Sequence, residues 1–308
     1  MASKLIKAIL SFGPGIFAIG YTIGTGSVTS MIVAGSTFGM QLLWVLVLSC
    51  LFSGALIYAY GNFALVTGET ALHAFKKYLP YGKLVGILII VGVTFGQWNS
   101  LIGILGISAN IIFELLVLYF PVLGPHKYGV VIAIATVVIG VMYMILLIGK
   151  YSLFEKVLVF FVSIMGISFI ISLVFVHPLP VEVARGLIPA IPEVPGGRMM
   201  VAAFVGTTMA AATFLSRPLF IQGKGWTMND RDQQKKDAII AAVLVFVVSG
   251  SIMSVAHGAL FQKQEPITDV LGMVGALEPI AGKTALTLFF FGTLSAGISS
   301  IFPCLIQI

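Results

Sequence analysis

Eight apolar runs, each close to the ~20 residues that an α-helix needs to cross a bilayer, leave this chain few folds to choose from. They fall near 13–36, 41–66, 84–113, 129–149, 155–177, 199–221, 238–261 and 284–308. Backbone N–H and C=O groups exposed to hydrocarbon must find partners within their own segment, so each run is predicted to be a helix. The expected fold class is therefore all-α integral membrane. Composition supports this: 59% of residues are hydrophobic and 9% charged, whereas roughly a quarter of residues in soluble domains are charged. The mean hydropathy is +1.10.

The net charge of +6 would suggest a nucleic-acid partner in a soluble chain. In a membrane chain the placement of Lys and Arg matters more. Connections after the second, fourth and sixth runs carry Lys76, Lys77, Lys83, Lys150, Lys156, Lys224, Arg231, Lys235 and Lys236. Those after the third, fifth and seventh carry only Lys127, Arg185, Arg198, Lys263 and Lys283. With Lys4 and Lys7 ahead of the first run, the positive-inside rule puts the N-terminus in the cytoplasm. The first run lacks a small-residue cleavage site and reads as a retained span rather than a signal peptide. The last run stops at Ile308 inside apolar sequence, as expected of a chain cut short within a span.

Two of the runs are interrupted. Gly20-Tyr21-Thr22-Ile23-Gly24-Thr25-Gly26-Ser27 places three glycines within seven positions of the first. Each glycine lowers helix stability by roughly 1 kcal/mol. Unwound backbone inside a bilayer is tolerated only where protein or a water-filled cavity satisfies it, so a break points to a ligand path. The competing reading is that small residues simply let helices approach closely. The sixth run has a second candidate break at Gly206-Thr207-Thr208-Met209. Breaks five spans apart suggest an inverted repeat. On this reading residues 1–308 form one transmembrane domain, with a first repeat over about 13–177 and a partial second over about 199–308.

Few residues within the spans carry reactive chemistry. His73, His126, His177 and His257 lie near span ends, and all eleven acidic residues fall in connections or close to span ends. The loop from Lys224 to Asp237 mixes both signs and reads as a solvated cytoplasmic turn. Cys50 and Cys304 lack metal-ligand spacing and read as packing residues. No Walker, zinc-protease or nucleophile–base motif is present, so no enzyme, ATP-driven pump or cofactor is expected. Polar atoms in the spans come from hydroxyls and amides, among them Thr22, Thr25, Ser27, Thr207, Thr208 and Thr213. Gln97, Asn99 and Ser100 of the third span face either a pathway or partners in the bundle.

Specific residues carry a family resemblance. Gly13-Pro14-Gly15, the Gly24–Ser27 stretch, and Phe38-Gly39 before Leu42-Leu43-Trp44-Val45-Leu46 resemble the first two helices of the natural-resistance-associated macrophage protein (NRAMP) family of divalent-metal transporters. Thr67-Gly68-Glu69, Leu147-Ile148-Gly149-Lys150-Tyr151, Gly186-Leu187-Ile188-Pro189 and Leu294-Ser295-Ala296-Gly297-Ile298-Ser299-Ser300 are similar landmarks. The resemblance implies a LeuT-like inverted-repeat transporter in the cell membrane, with helices 1 and 6 broken. About eleven helices are expected, of which this chain supplies eight.

The same resemblance shows where the chain departs from the pattern. The family's Asp-Pro-Gly-Asn falls on Gly24, Thr25, Gly26 and Ser27, and its sixth-helix methionine falls on Ala210 beside Met209. Its metal-ligand positions are thus Gly24, Ser27 and Ala210. Its proton-linked acidic pair falls on Gln97 and Ser100, and its second sixth-helix histidine on Arg217, which is expected to snorkel to the cytoplasmic interface. The expected substrate site is Gly24, Thr25, Gly26, Ser27, Thr207, Thr208, Met209, Ala210 and Thr213. Gly26 is expected to hold a strained backbone.

A dication in low dielectric without a counter-charge costs several kcal/mol or more. The resemblance implies metal ions as substrate, whereas the absent ligands favour the alternative, a small polar organic solute such as an amino acid, held by helix N-termini. A membrane sensor that has lost transport is the third reading. The expected partners are the bilayer and the transported solute, not nucleic acid.

Overall fold

The computed structural model describes residues 13–148, 151–175, 179–261 and 272–307. Lys4, Lys7, Lys150, His177, Lys263, Glu265 and Asp269 lie outside the described residues. The described residues are helical, with no strand among them. In chain order the helices are α1 (Gly13–Thr22), α2 (Thr25–Phe38), α3 (Leu43–Thr67), α4 (Ala71–Tyr78), α5 (Gly82–Tyr119) and α6 (Lys127–Leu147). They continue as α7 (Tyr151–Phe175), α8 (Pro180–Gly186), α9 (Gly197–Thr208), α10 (Ala211–Lys224), α11 (Arg231–Leu260) and α12 (Met273–Gln307).

Among the described residues six stretches are long and apolar enough to cross a bilayer: Leu43–Thr67, Gly82–Tyr119, Pro121–Leu147, Lys156–Leu173, Gly197–Lys224 and Met228–Leu260. The first span is divided between α1 and α2, neither of which would span alone. The eighth contributes the shorter apolar stretch Leu286–Ile301.

Local chemistry sets the helix ends. Gly68 closes α3 in the left-handed region at φ 67° and donates its N–H to the Ala64 carbonyl. Thr70 caps α4 by accepting from the His73 N–H, and Lys76 and Lys77 sit in the last turn of α4, where the helix dipole favours cations. Gly225 ends α10 at φ 70°.

At the centre of the bundle α11 packs on α2 and α3, while α12 packs on α5 and α7. The core between them is built from Ile23, Met31, Ile32, Leu42, Leu46, Phe204, Ile252 and Phe289, all essentially inaccessible. Outer faces are equally apolar: Leu88, Phe95, Ile102, Val137 and Met144 are exposed, and Met142 alone of α6 is buried. Apolar residues inside and out mark an integral membrane protein, whose solvent on that surface is lipid.

Two expectations fail at the α10–α11 connection. Arg217 does not snorkel: its side chain is 1% exposed and its Nη2 donates to Asp237 Oδ2 at 2.6 Å, with Asp237 at 0%. Nor is Lys224–Asp237 a solvated turn throughout. Helix α11 begins at Arg231, seven residues ahead of the expected start, and that extra helix rotates Gln234 and Asp237 onto its inner face. Gln234 Nε2 donates to the Ile57 and Tyr58 carbonyls at 3.3 Å, while Gly61 supplies the room for its amide.

Candidate functional site between the broken helices

Both interrupted spans are broken, the first at the centre of its expected break and the sixth at the C-terminal end of its own. In the first, Ile23 and Gly24 separate α1 from α2, with Gly24 extended at φ −94°, ψ −178°. In the sixth, Met209 and Ala210 separate α9 from α10, and Gly206 stays helical. Close packing, the competing reading of the glycines, holds at Gly20: a Cβ there would lie 3.2 Å from Leu158 and 3.4 Å from Val162.

A cavity of about 290 Å³ lies where the breaks meet. The first span lines it with Tyr21, Thr22, Gly24, Thr25, Gly26 and Ser27, and the sixth with Gly206, Thr207 and Ala210. Helix α5 adds Gln97, Ser100, Gly103, Ile104 and Ile107, and α12 adds Ser300 and Cys304. No side chain in this lining is charged. Three buried oxygens facing it, Thr22 Oγ1, Ser27 Oγ and Gln97 Oε1, have no hydrogen-bond partner. A buried polar oxygen without a partner costs about 1–3 kcal/mol, so these groups are poised for a ligand or water.

The remaining candidates are placed differently. Thr208 and Thr213 are buried behind the sixth-span break with unpartnered hydroxyls, and Met209 packs its side chain against the main core. Asn99 points away from the cavity, is exposed, and returns its amide to the Phe95 carbonyl at 3.1 Å. Gly26 sits in the first turn of α2, outside the left-handed region, and a Cβ on it would meet nothing within 4 Å. The expected backbone strain at Gly26 is therefore absent, because the non-helical backbone falls two residues earlier, at Gly24.

Ser300 stands outside the sequence candidates. It is 2% exposed, and its Oγ lies 2.6 Å from the Gly20 carbonyl and 2.9 Å from the Ala296 carbonyl. The Ser299-Ser300 pair in an otherwise apolar span was the signal for it. A second cavity, of about 490 Å³, shares Gln97 and Ala210 with the first and runs between α5 and α10 to Phe75 on α4. Gln97 and Ala210 thus form the wall between the site and the end of the bundle that carries Lys76 and Lys77.

Residues 15–307 match the model of the family described as natural resistance-associated macrophage protein-like. The chain belongs to this family. Among its NRAMP relatives, the divalent metal cation transporter MntH of Klebsiella pneumoniae subsp. pneumoniae is 25% identical over 97% of this chain and 70% of its own length. The MntH of Vibrio campbellii is 26% identical over 97% and 69%. The crystal structure of the Eremococcus coleocola manganese transporter, in complex with an aromatic bis-isothiourea compound, superimposes with a TM-score of 0.78 at 17% identity. That match covers 98% of this chain and 65% of the transporter. The fold is thus the LeuT-like one of an NRAMP transporter, and the chain spans about two thirds of the length of these proteins. Among the described residues no group of three His, Cys, Asp or Glu stands close enough to hold a metal ion.

Proposed function

We propose that this chain is the substrate-moving part of a secondary transporter that takes a metal ion through the cavity between the two breaks by alternating access. The observation that carries the reading is a polar, unpartnered oxygen lining at the meeting point of two broken helices in an NRAMP fold. Relatives named divalent metal cation transporters supply the substrate class. The substrate site is Gly24, Thr25, Gly26, Ser27, Thr207 and Ala210, with Gln97 and Ser100 on the pathway; Thr208, Met209 and Thr213 support it from behind. Because Gly24 and Ala210 stand where the family's carboxylate and thioether would ligate, the site holds its ion by the neutral oxygens that remain in the lining. The second cavity is the route to the cytoplasm, and residues 13–177 and 199–308 are the two repeats that rock against each other.

One observation favours a second reading, a small polar organic solute. The lining carries no counter-charge, while the N-terminal turn of α2, at Thr25 and Gly26, has no side-chain cap on its N–H groups. Such a turn accepts a carboxylate. Calorimetric titration of the purified protein with manganese and with a panel of amino acids separates the two. Heat with manganese supports the first reading and heat with an amino acid the second; silence with both leaves a membrane sensor.

A further inference from the structure

We infer that the second cavity holds an acyl chain of an anionic phospholipid whose phosphate sits at the mouth between Lys76 and Lys83, and that this lipid closes the path from the substrate site. The lipid site stands on the chemistry of the cavity; only its effect on ion passage rests on the transporter reading.

The cavity of about 490 Å³ lies within the ~300–1,000 Å³ usual for small-molecule sites. Tyr60, Phe75, Ile89, Val93, Phe214 and Leu215 wall it, no charged side chain lines it, and the amide of Gln97 stands at its inner end. An ion passing such walls gives up water and receives almost no oxygen in return, whereas a hydrocarbon chain is matched along its whole length. Gly92 and Gly96 of α5, one turn apart, form part of the same lining. Both are exposed, and a Cβ added to either would meet nothing within 4 Å. Two absent side chains on one helix face leave a slot running along the helix.

The mouth of the slot is basic by construction. Tyr81, at φ 57°, turns the chain from α4 into α5, and a Cβ on Gly82 would run into the carbonyls of Phe75 and Lys76. This close approach sets Lys83, in the first turn of α5, beside Lys76 in the last turn of α4. Phe75, next to Lys76 in the chain, is already in the cavity wall. Lys77 is neutralised by Glu69 at 2.8 Å, and His73 lies 3.9 Å from the same carboxylate. Lys76 and Lys83 are exposed and make no ion pair among the described residues. The N-terminal turn of α5, which has no side-chain cap, adds the positive end of a helix dipole.

Tyr78 and Tyr81 are 66% and 84% exposed at this end, as suits aromatic residues at headgroup level. Two unpaired lysines above an apolar slot complement a lipid with a net negative head. A zwitterionic head brings its own cation to the same lysines and fits less well. Because Gln97 and Ala210 line both cavities, a chain seated in the slot ends against the wall of the substrate site. The ion then leaves toward this end only when the chain withdraws.

The purified 308-residue chain in lipid nanodiscs tests this without any knowledge of the substrate. Phosphatidylglycerol carrying a diazirine near the end of one acyl chain is photolysed at rising mole fraction, and labelled peptides are mapped by mass spectrometry. Phosphatidylcholine with the same chain is the comparison. The expected result is saturable labelling of residues 88–97 and 210–215 by phosphatidylglycerol, displaced by its unlabelled form, with weak labelling there by phosphatidylcholine. Lys76→Gln and Lys83→Gln should each weaken the apparent affinity by about fivefold. Lys156→Gln, at an exposed lysine of α7, should leave it unchanged. Gly96→Leu fills the slot and should abolish labelling within it.

Equal labelling by the two lipids, or labelling that never saturates, would mark an ordinary lipid-facing groove and overturn the inference. No labelling of these residues in wild type would mark a water-filled passage and overturn it as well, whether or not the variants fold. Undiminished affinity in a folded Lys76→Gln, Lys83→Gln double variant has the same force. Manganese uptake into vesicles should slow as phosphatidylglycerol replaces phosphatidylcholine, and the double variant should escape that slowing; uptake indifferent to the lipid overturns the closing of the path. Saturable labelling in a protein that moves no ion would sink the transporter reading alone and leave the lipid site standing.

Discussion

At the scale of single residues, charge and volume decide what the site can hold. On the proposed register Gly24 stands where the family's aspartate would supply a counter-charge, and Ala210 where its thioether would. Gly24→Asp with Ala210→Met should therefore raise manganese affinity. The structure adds a condition: a Cβ at Gly24 lies 2.8 Å from Ser300 Oγ, too close unless the serine moves. The triple variant that also carries Ser300→Ala should gain about tenfold or more in manganese affinity by calorimetry. No gain in a folded triple variant would show that the two breaks do not present their side chains to one ion. The Arg217–Asp237 pair is the other residue-scale feature, buried to about 1% with Arg217 Nε and Nη1 unpartnered. Removing one partner strands a buried charge, so Asp237→Asn should cost about 3–5 kcal/mol, whereas Arg217→Met with Asp237→Leu should cost far less. Thermal melts of the two variants in the same detergent make the comparison.

Helices and their junctions respond to different forces. Gly26→Val adds a side chain into open space at the start of α2, so the fold should survive and the cavity should fill. Solute binding is expected to drop with an unchanged melting temperature; a large fall in melting temperature would contradict the helical backbone at Gly26. The junction of α8 with the end of α11 is tied by Glu182, whose Oε2 lies 2.8 Å from His257 Nε2. The His257 hydrogen bond, aided by its charge and by Arg185, holds the Glu182 carboxyl below its ordinary value of 4.5. A depressed acid contributes stability above its unfolded value and loses it as pH falls through the folded one. Wild type should therefore lose melting temperature as the pH drops below about 4.5, and Glu182→Gln should lose less over the same range. Identical profiles would show that the tie contributes nothing.

For the molecule as a whole the open quantities are orientation and coupling. The alternation of basic connections predicts that the N-terminus and the α10–α11 connection face the cytoplasm. In intact cells Val122→Cys, 86% exposed between α5 and α6, should react with an impermeant maleimide, and Arg231→Cys should not. The opposite pattern would invert the assignment. Neutral Gln97 and Ser100 stand in a cavity wall that carries no carboxylate or histidine, so transport should not be strongly proton-coupled. Substrate-dependent acidification of reconstituted vesicles, read with a pH-sensitive dye, would reveal a proton path elsewhere.

Apolar run length and helix-breaking residues acted locally, and so the sequence by itself determined the helical membrane fold, the positions of the spans and the existence of two breaks. Gly24 and Gly206-Thr207-Thr208-Met209 marked those breaks to within a few residues, because backbone freedom and span length are properties of neighbours along the chain. Which polar groups converge was decided only by tertiary structure. Ser300 reaches Gly20 across 280 positions, and Arg217 meets Asp237 because α11 starts early and turns that carboxylate inward. Asn99 and Gln97, two residues apart on one helix, face opposite ways, one exposed and the other into the cavity. Lipid makes an outward-facing helix surface as apolar as an inward-facing one, so no hydrophobic period distinguishes the two faces, and only packing shows which polar side chain meets the site.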